Sequence, residues 1–337
     1  MAIAADCWVE TISGRVRANE LAPGDYVFGM DGLPTKVKSV QTYVPQKFYN
    51  VKFSDGCSIE GDQFLNLPVK NWVQRMCHSR HKGVQKVERR RHQKYRTPEQ
   101  ILESGLYHTH HNRLEYTVDT IKPLDYGYED HAVPPFIAGM WCANRRKNNK
   151  YPIPSEHRDY LKAHAQRSKQ FVVVENKQHI HIRPSVEAVF LRDYATIPTK
   201  EFPYKYLYGK PEQRLEFLQG FFITRPKTYI VKKDRFRIRS KTNRYIIEMI
   251  QVLCESLGIK TTLSNDNTYW ELTFKTKLPI LPFQKHVGRK SGERYRQIVG
   301  VEECEPRQCV HIETTKPIAV GNGFIPIWHS RTNNKKS

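Results

Sequence analysis

Three kinds of side chain in this sequence could do chemistry: thiols, imidazoles and guanidinium groups. Seven cysteines, an odd number, lie scattered at Cys7, Cys57, Cys77, Cys142, Cys254, Cys304 and Cys309. Such scatter makes no disulfide framework and fits a reducing compartment. A thiol attacks only as its thiolate, so the surroundings of each cysteine decide what it can do. Two tracts carry metal-ligand types, Cys77-His78 with His81, and His108 with His110 and His111. Neither has a second ligand set at finger spacing, and both are expected to be solvated loop. The guanidinium pattern is more informative. Arg235, Arg237 and Arg239 alternate, which in a strand puts all three on one face. Lys232, Lys233 and Lys241 flank them and complete a candidate surface for duplex DNA.

Charge supports that partner. The 337 residues carry 55 Lys and Arg against 34 Asp and Glu, a formal net charge of +21. A polyanion is the natural partner for such a chain, because each neutralised phosphate releases counterions. No run of about 18 apolar residues occurs, so no membrane helix is expected. Met1–Asp6 has no basic segment and is not expected to be a signal peptide, and the chain is expected to be a cytoplasmic monomer.

The elements that must position these groups fall into two styles. Residues 7–70 read as short strands, including Phe48–Phe53, separated by turns at Pro23-Gly24-Asp25, Asp31-Gly32 and Asp55-Gly56. Arg75 to Arg96 is a basic run. Thr97, Pro98 and Gln100 then form a capping box that opens a helix. From Val133 the style changes. Helices are expected over Phe136–Ala143, Glu212–Phe222 and Tyr245–Leu257, the last stopped by Gly258. Strand-like runs follow them at 170–174, 179–182, 235–239 and 269–274. Strands return over 297–301, 308–312 and 318–320. A β domain is thus interrupted by an α/β domain with an internal pseudo-repeat.

Four blocks carry a resemblance. Cys7-Trp-Val-Glu-Thr-Ile-Ser-Gly14 with Glu20-Leu-Ala-Pro-Gly-Asp25 resembles the N-terminal splicing block of inteins. Cys309-Val-His-Ile312, Val320-Gly-Asn-Gly-Phe-Ile-Pro326 and Ser330 resemble the C-terminal block. Val133–Trp141 and Glu212–Gly220 are similar to the paired helices of LAGLIDADG (DOD-type) homing endonucleases, and Cys254–Ile259 to a segment that follows them. The resemblance implies an all-β Hint horseshoe split by an inserted α/β endonuclease domain with a pseudo-twofold repeat. It implies these boundaries: 1–6 as N-terminal flank, 7–130 and 291–329 as the two parts of the Hint domain, 131–290 as the LAGLIDADG domain, and 330–337 as C-terminal flank.

The same resemblance implies a chemistry for each matched position. Cys7 would attack the Asp6 carbonyl to form a thioester, with the host flanks as partners in cis. The histidine that polarises that amide falls at Phe64, or at Gln63 under a one-residue shift, and neither shuttles a proton near neutral pH. At the far end Trp328 replaces the penultimate His, His329 replaces the cyclising Asn, and Ser330 keeps the acceptor hydroxyl. Full splicing is therefore expected to fail. Gly139 and Gly220 would let the paired helices approach. The acidic positions that hold Mg²⁺ in the family fall at Asn144 and Arg225. Asparagine is a weak ligand for a hard cation. A guanidinium repels a divalent ion by about 8 kcal/mol at ~4 Å and an effective dielectric of about 20, and Arg225 suits a DNA phosphate instead. DNA binding without efficient cleavage is the expectation. The alternative is a DNA-binding protein that uses a LAGLIDADG scaffold and has no catalysis.

Overall fold

The computed structural model describes residues 2–71, 94–108, 112–131, 133–144, 151–153, 158–169, 171–175, 180–184, 204–225, 228–230, 235–241, 244–282, 284 and 295–328. Cys77, His78, His81, His110, His111, Lys232, Lys233, His329 and Ser330 lie outside them. The architecture is mixed and sheet-rich, with five α-helices among the described residues. The chain divides into two compact units, 1–124 with 291–337, and 125–290.

The first unit is built from strands. One sheet runs, in spatial order, Lys94–Arg96, Leu67–Lys70, Thr117–Asp119, Tyr295–Cys304, Phe48–Phe53, Ser58–Asp62, Ala2–Ala4, Cys309–Glu313 and Ser39–Tyr43. A second runs Ile325–Ile327, Ile318–Val320, Trp8–Thr11, Tyr26–Phe28 and Pro34–Lys36, with Gly14–Arg17 as a hairpin on Trp8–Thr11. Alternation explains the strands locally: in Phe48–Phe53, Tyr49, Val51 and Phe53 are buried while Asn50 and Lys52 between them are less so. These residues join Val9, Val27, Ile59, Ile298, Val310 and Ile325 in one core. Helix α1 (Pro98–Ser104) starts where local chemistry dictates. Thr97 Oγ1 accepts from Gln100 N at 3.3 Å, and Gln100 Oε1 accepts from Thr97 N at 3.2 Å.

By sequence, Ala2–Ala4 is expected only as part of a flank. It is an inner strand, antiparallel to Cys309–Glu313 with Ala4 opposite Cys309, and it meets Gly61 on its other side through Ile3. Three buried residues too short to alternate give no strand signal, and partners some 300 residues away supply the hydrogen bonds.

The second unit holds helices α2 (Pro135–Asn144), α3 (Arg158–Ser168), α4 (Pro211–Ile223) and α5 (Arg244–Ser256). A three-stranded sheet has the order Tyr151–Ile153, Ile180–Pro184, Phe171–Glu175, and α3 packs on the last of these strands. A four-stranded sheet has the order Tyr229–Ile230, Arg235–Ser240, Trp270–Phe274, Thr261–Asn265, and α5 packs on it. Each half therefore contributes one seam helix, one further helix and one antiparallel sheet. The core, including Phe136, Ile137, Phe217, Phe221, Phe222 and Phe274, gathers around α2 and α4. Sequence reading missed α3. Its composition is mostly polar, and only Leu161 and His164 are buried.

Candidate functional site

The centre of the first unit collects both ends of its chain on one short stretch, residues 61–66. Ala2 N donates to the buried carboxylate of Asp62 at 3.0 Å, and Asp62 also accepts from Tyr43 Oη at 2.6 Å and Phe64 N at 3.2 Å. Four residues on, Asn66 O accepts from Trp328 N at 3.0 Å. Gln63 Oε1 accepts from Lys47 N at 3.4 Å, and Phe64 presents an exposed ring.

Three thiols gather with Ala2, Ala4 and Phe48: Cys309, fully buried, and Cys7 and Cys304, half-buried. Burial, with the negative charge of Asp6, pushes the Cys7 thiol up to about 12. Burial and the Asp62 carboxylate push Cys309 up to about 12 as well. Neither sulfur is held as a thiolate near neutral pH. The backbone around Cys7 is fixed. Cys7 N donates to Ala4 O at 2.9 Å, Asn19 N to Ala5 O at 3.1 Å and Ala18 N to Cys7 O at 2.8 Å. The carbonyl between them, Asp6 O, accepts from the Arg17 guanidinium, which lies 3.6 Å over the Trp8 ring. The Asp6 carboxylate is 3.1 Å from Arg307 Nη1, and Arg307 also pairs with Glu60.

In the second unit the seam is set by two glycines. A methyl added at Gly139 would overlap the carbonyl oxygen of Phe217 and stand 2.9 Å from Phe221 N. At Gly220 it would overlap the carbonyl oxygen of Phe136 and stand 2.7 Å from its carbonyl carbon. Each glycine lies against the backbone of the opposite helix, so only hydrogen fits.

At the end of this seam Arg225 follows the α4 cap residue Thr224. Its Nε and Nη2 both donate to Ala143 O, one residue before the end of α2, with the Nε bond at 3.0 Å. Two donors of Arg225, a position expected to suit a phosphate, are thus engaged on this carbonyl. A helix C-terminus leaves carbonyls without intrahelical partners, and the guanidinium fork is turned to one of them. Asn144 is the last residue of α2. A divalent ion does not fit the described groups here, where a cation already sits on the helix end. Among the described residues no group of three or more His, Cys, Asp or Glu is arranged for a metal.

On the four-stranded sheet Arg235, Arg237 and Arg239 are exposed on one face, while Phe236 and Ile238 are buried on the other. Arg239 pairs with Glu271, and both Arg239 and Lys241 lie over the Tyr269 ring, at 5.7 and 5.0 Å. The pairing with Glu271 offsets the charge of Arg239.

Sequence reading missed Asp62, Arg17 and Arg307. Gly61-Asp62 resembles any turn, and an arginine in a basic chain carries no signal of its own. Their partners lie 60, 11 and 301 residues away, so nothing local marks them.

No family model matches the chain. A replicative DNA helicase DnaB of Mycobacterium intracellulare is similar at 23% identity over 337 positions, covering 95% of this chain and 54% of that protein. The chain thus spans about half the length of the curated relative it matches. Among solved structures, the Msm DnaB1 intein splicing domain bound with zinc is 33% identical over 20% of this chain and 55% of its own, with a TM-score of 0.20. The homing endonuclease I-DmoI in complex with DNA and Ca is 12% identical over 45% of this chain and 86% of its own, with a TM-score of 0.29. The solved structures similar to parts of this chain are thus an intein and a homing endonuclease.

Proposed function

We propose that this chain is an intein-type splicing element in which substitutions at matched catalytic positions impair full splicing, carrying a LAGLIDADG unit that binds duplex DNA and cleaves it poorly or not at all. The observation that carries the splicing half is the meeting of both ends of the first unit on residues 61–66, through Ala2–Asp62 and Trp328–Asn66. An acyl transfer between two junctions needs its reacting groups held together, and this arrangement brings together ends more than 300 residues apart.

In the splicing step a thiol attacks the carbonyl of the upstream peptide. A carbon–sulfur bond forms, the carbon–nitrogen bond breaks, and the sulfur's proton passes to the departing amine. The sequence blocks put this at Asp6–Cys7. One observation favours a second placement, at Met1–Ala2 with Cys309 as nucleophile: the Ala2 N–H is held by the buried Asp62, and Cys309 stands on the adjoining strand opposite Ala4. A carboxylate on the amide nitrogen is positioned to manage the proton that the leaving amine must gain. With both thiols near 12, either reaction is slow at neutral pH.

The test is a carrier protein fused ahead of Met1 and incubated with dithiothreitol at pH 8.5. Intact mass separates a break before Ala2 from one before Cys7, and Cys7→Ala and Cys309→Ala assign the nucleophile. A parent chain that shows no thiol-dependent break at either bond removes the splicing reading.

The DNA half rests on the exposed Arg235 and Arg237 in a chain of formal charge +21. Fluorescence anisotropy with a duplex between 50 and 200 mM KCl reads it. Replacing both with Gln is expected to lower the slope of log K against log salt by about 2, near 0.9 for each lost phosphate contact. An unchanged slope excludes that strand from the interface.

A further inference from the structure

We propose that Arg225 is a built-in cation that takes the place of a divalent ion between the converging ends of α2 and α4, so that the unit holds this end of its seam without any metal. The inference rests on the LAGLIDADG reading only for the place where an ion is expected. The contact itself stands on the geometry.

The charge balance is direct. Each helix C-terminus carries roughly −0.5 of an elementary charge, so two brought together present about −1. In a metal-binding seam two further carboxylates would raise this and a divalent ion would offset it. Here the residue ending α2 is Asn144, a neutral side chain by sequence, and the residue after the α4 cap is Arg225. One guanidinium supplies +1 against the two helix ends, and no net charge is left for a divalent ion to neutralise.

The cation is built in, not merely nearby. Two donors of the fork converge on the single carbonyl of Ala143. The side chain is half-buried, with its guanidinium carbon 5.2 Å over the Phe221 ring. Its backbone is fixed on both sides. Arg225 N donates to Phe222 O at 2.9 Å, and Arg225 O accepts from Thr228 N at 2.9 Å and Thr228 Oγ1 at 2.6 Å. Thr224 Oγ1 anchors the preceding residue on Phe221 O at 3.1 Å. The fork also links the two helices directly, which is what a bridging ion would otherwise do.

Hydrogen exchange of the full chain, read by mass spectrometry over α2 and over residues 211–228, tests the proposal, with 10 mM MgCl₂ or CaCl₂ as the ion. The parent is expected to show the same protection with and without either ion. Arg225→Met is expected to exchange about tenfold faster at the ends of both helices, the loss of one charge-assisted bond and its charge. Arg225→Lys, which keeps the charge but not the fork, should fall between them. The double variant Asn144→Asp, Arg225→Asp should lose protection without ions and regain it with them. A parent that gains protection from Mg²⁺ or Ca²⁺ overturns the proposal, as does an Arg225→Met chain that keeps its protection. A double variant that neither ion protects also overturns it, because the guanidinium would then be a helix cap and nothing more. DNA binding, measured separately on the same variants, is not needed for any of these outcomes. A parent that binds no duplex while exchanging as expected would count against the DNA reading alone.

Discussion

Adding one methyl group at Gly139 or Gly220 should open the seam between α2 and α4. In the Gly220→Ala chain the new carbon would sit 2.7 Å from the carbonyl carbon of Phe136 and would overlap its oxygen. Carbon atoms rest at about 3.5–4.0 Å, so the helices must part by about 1 Å. A gap of that size forfeits a quarter to a half of the dispersion across the seam. For some 50 atom pairs at about 0.1–0.2 kcal/mol, that is about 1–5 kcal/mol. Alanine returns about 1 kcal/mol as the better helix former. The net cost is about 0–4 kcal/mol, centred near about 2 kcal/mol and so in the usual range for overpacking. Hydrogen exchange reads it locally: 2 kcal/mol corresponds to about 30-fold faster exchange over α2 and α4. Gly300→Ala is the control, because its methyl would meet only Lys52 side-chain carbons, at 3.7 Å and beyond. Peptides from residues 295–304 should keep their protection in that chain. Unchanged protection over α2 and α4 in both seam variants would refute the reasoning, because it would mean that the helices do not touch through their backbones.

Two further outcomes follow from the first unit. Arg296 and Asp55 form a fully buried pair at 2.5 Å. Arg296→Met strands a carboxylate in the core and should lower stability by about 3–5 kcal/mol, while the double change with Asp55→Leu should recover much of it. Urea unfolding of all three chains measures this, and equal midpoints for the single and double variants would contradict it. The second outcome concerns the Cys7 thiol. With its pKa near 12 it should alkylate slowly at pH 8. Its thiolate fraction falls about a thousandfold below that of an ordinary thiol, and its higher intrinsic nucleophilicity recovers part of this, so iodoacetamide should react roughly 10–100-fold slower. The rate should climb about tenfold per pH unit up to about pH 11. Mass spectrometry of the labelled peptide measures it, and a rate flat above pH 9 would show that the thiol titrates normally.

Local features were legible in the residues themselves. The Thr97–Gln100 capping box closes within four residues, and the alternation of Arg235, Arg237 and Arg239 follows from the period of a strand. Other features were legible as positions but not as geometry. Two glycines at matching places in two apolar helices suggest close approach, yet only the fold sets Gly139 against Phe217 and Gly220 against Phe136. Arg225 was visible as an arginine where an acid is expected. Its turn onto Ala143 O depends on how α2 ends beside α4.

By itself, the order of residues determined the charge, the split between a strand-rich part and a helix-bearing part, the capped start of α1, the apolar helices α2, α4 and α5, and the basic strand. These depend on contacts a few residues apart, which composition and spacing encode directly. Tertiary structure alone decided that Ala2–Ala4 is an inner strand, that Asp62 holds its amide, and that Cys309 stands beside it. Those groups are separated by 60 to more than 300 residues. Their meeting depends on which strands find one another, and no local preference of Ala, Asp or Cys contains that choice.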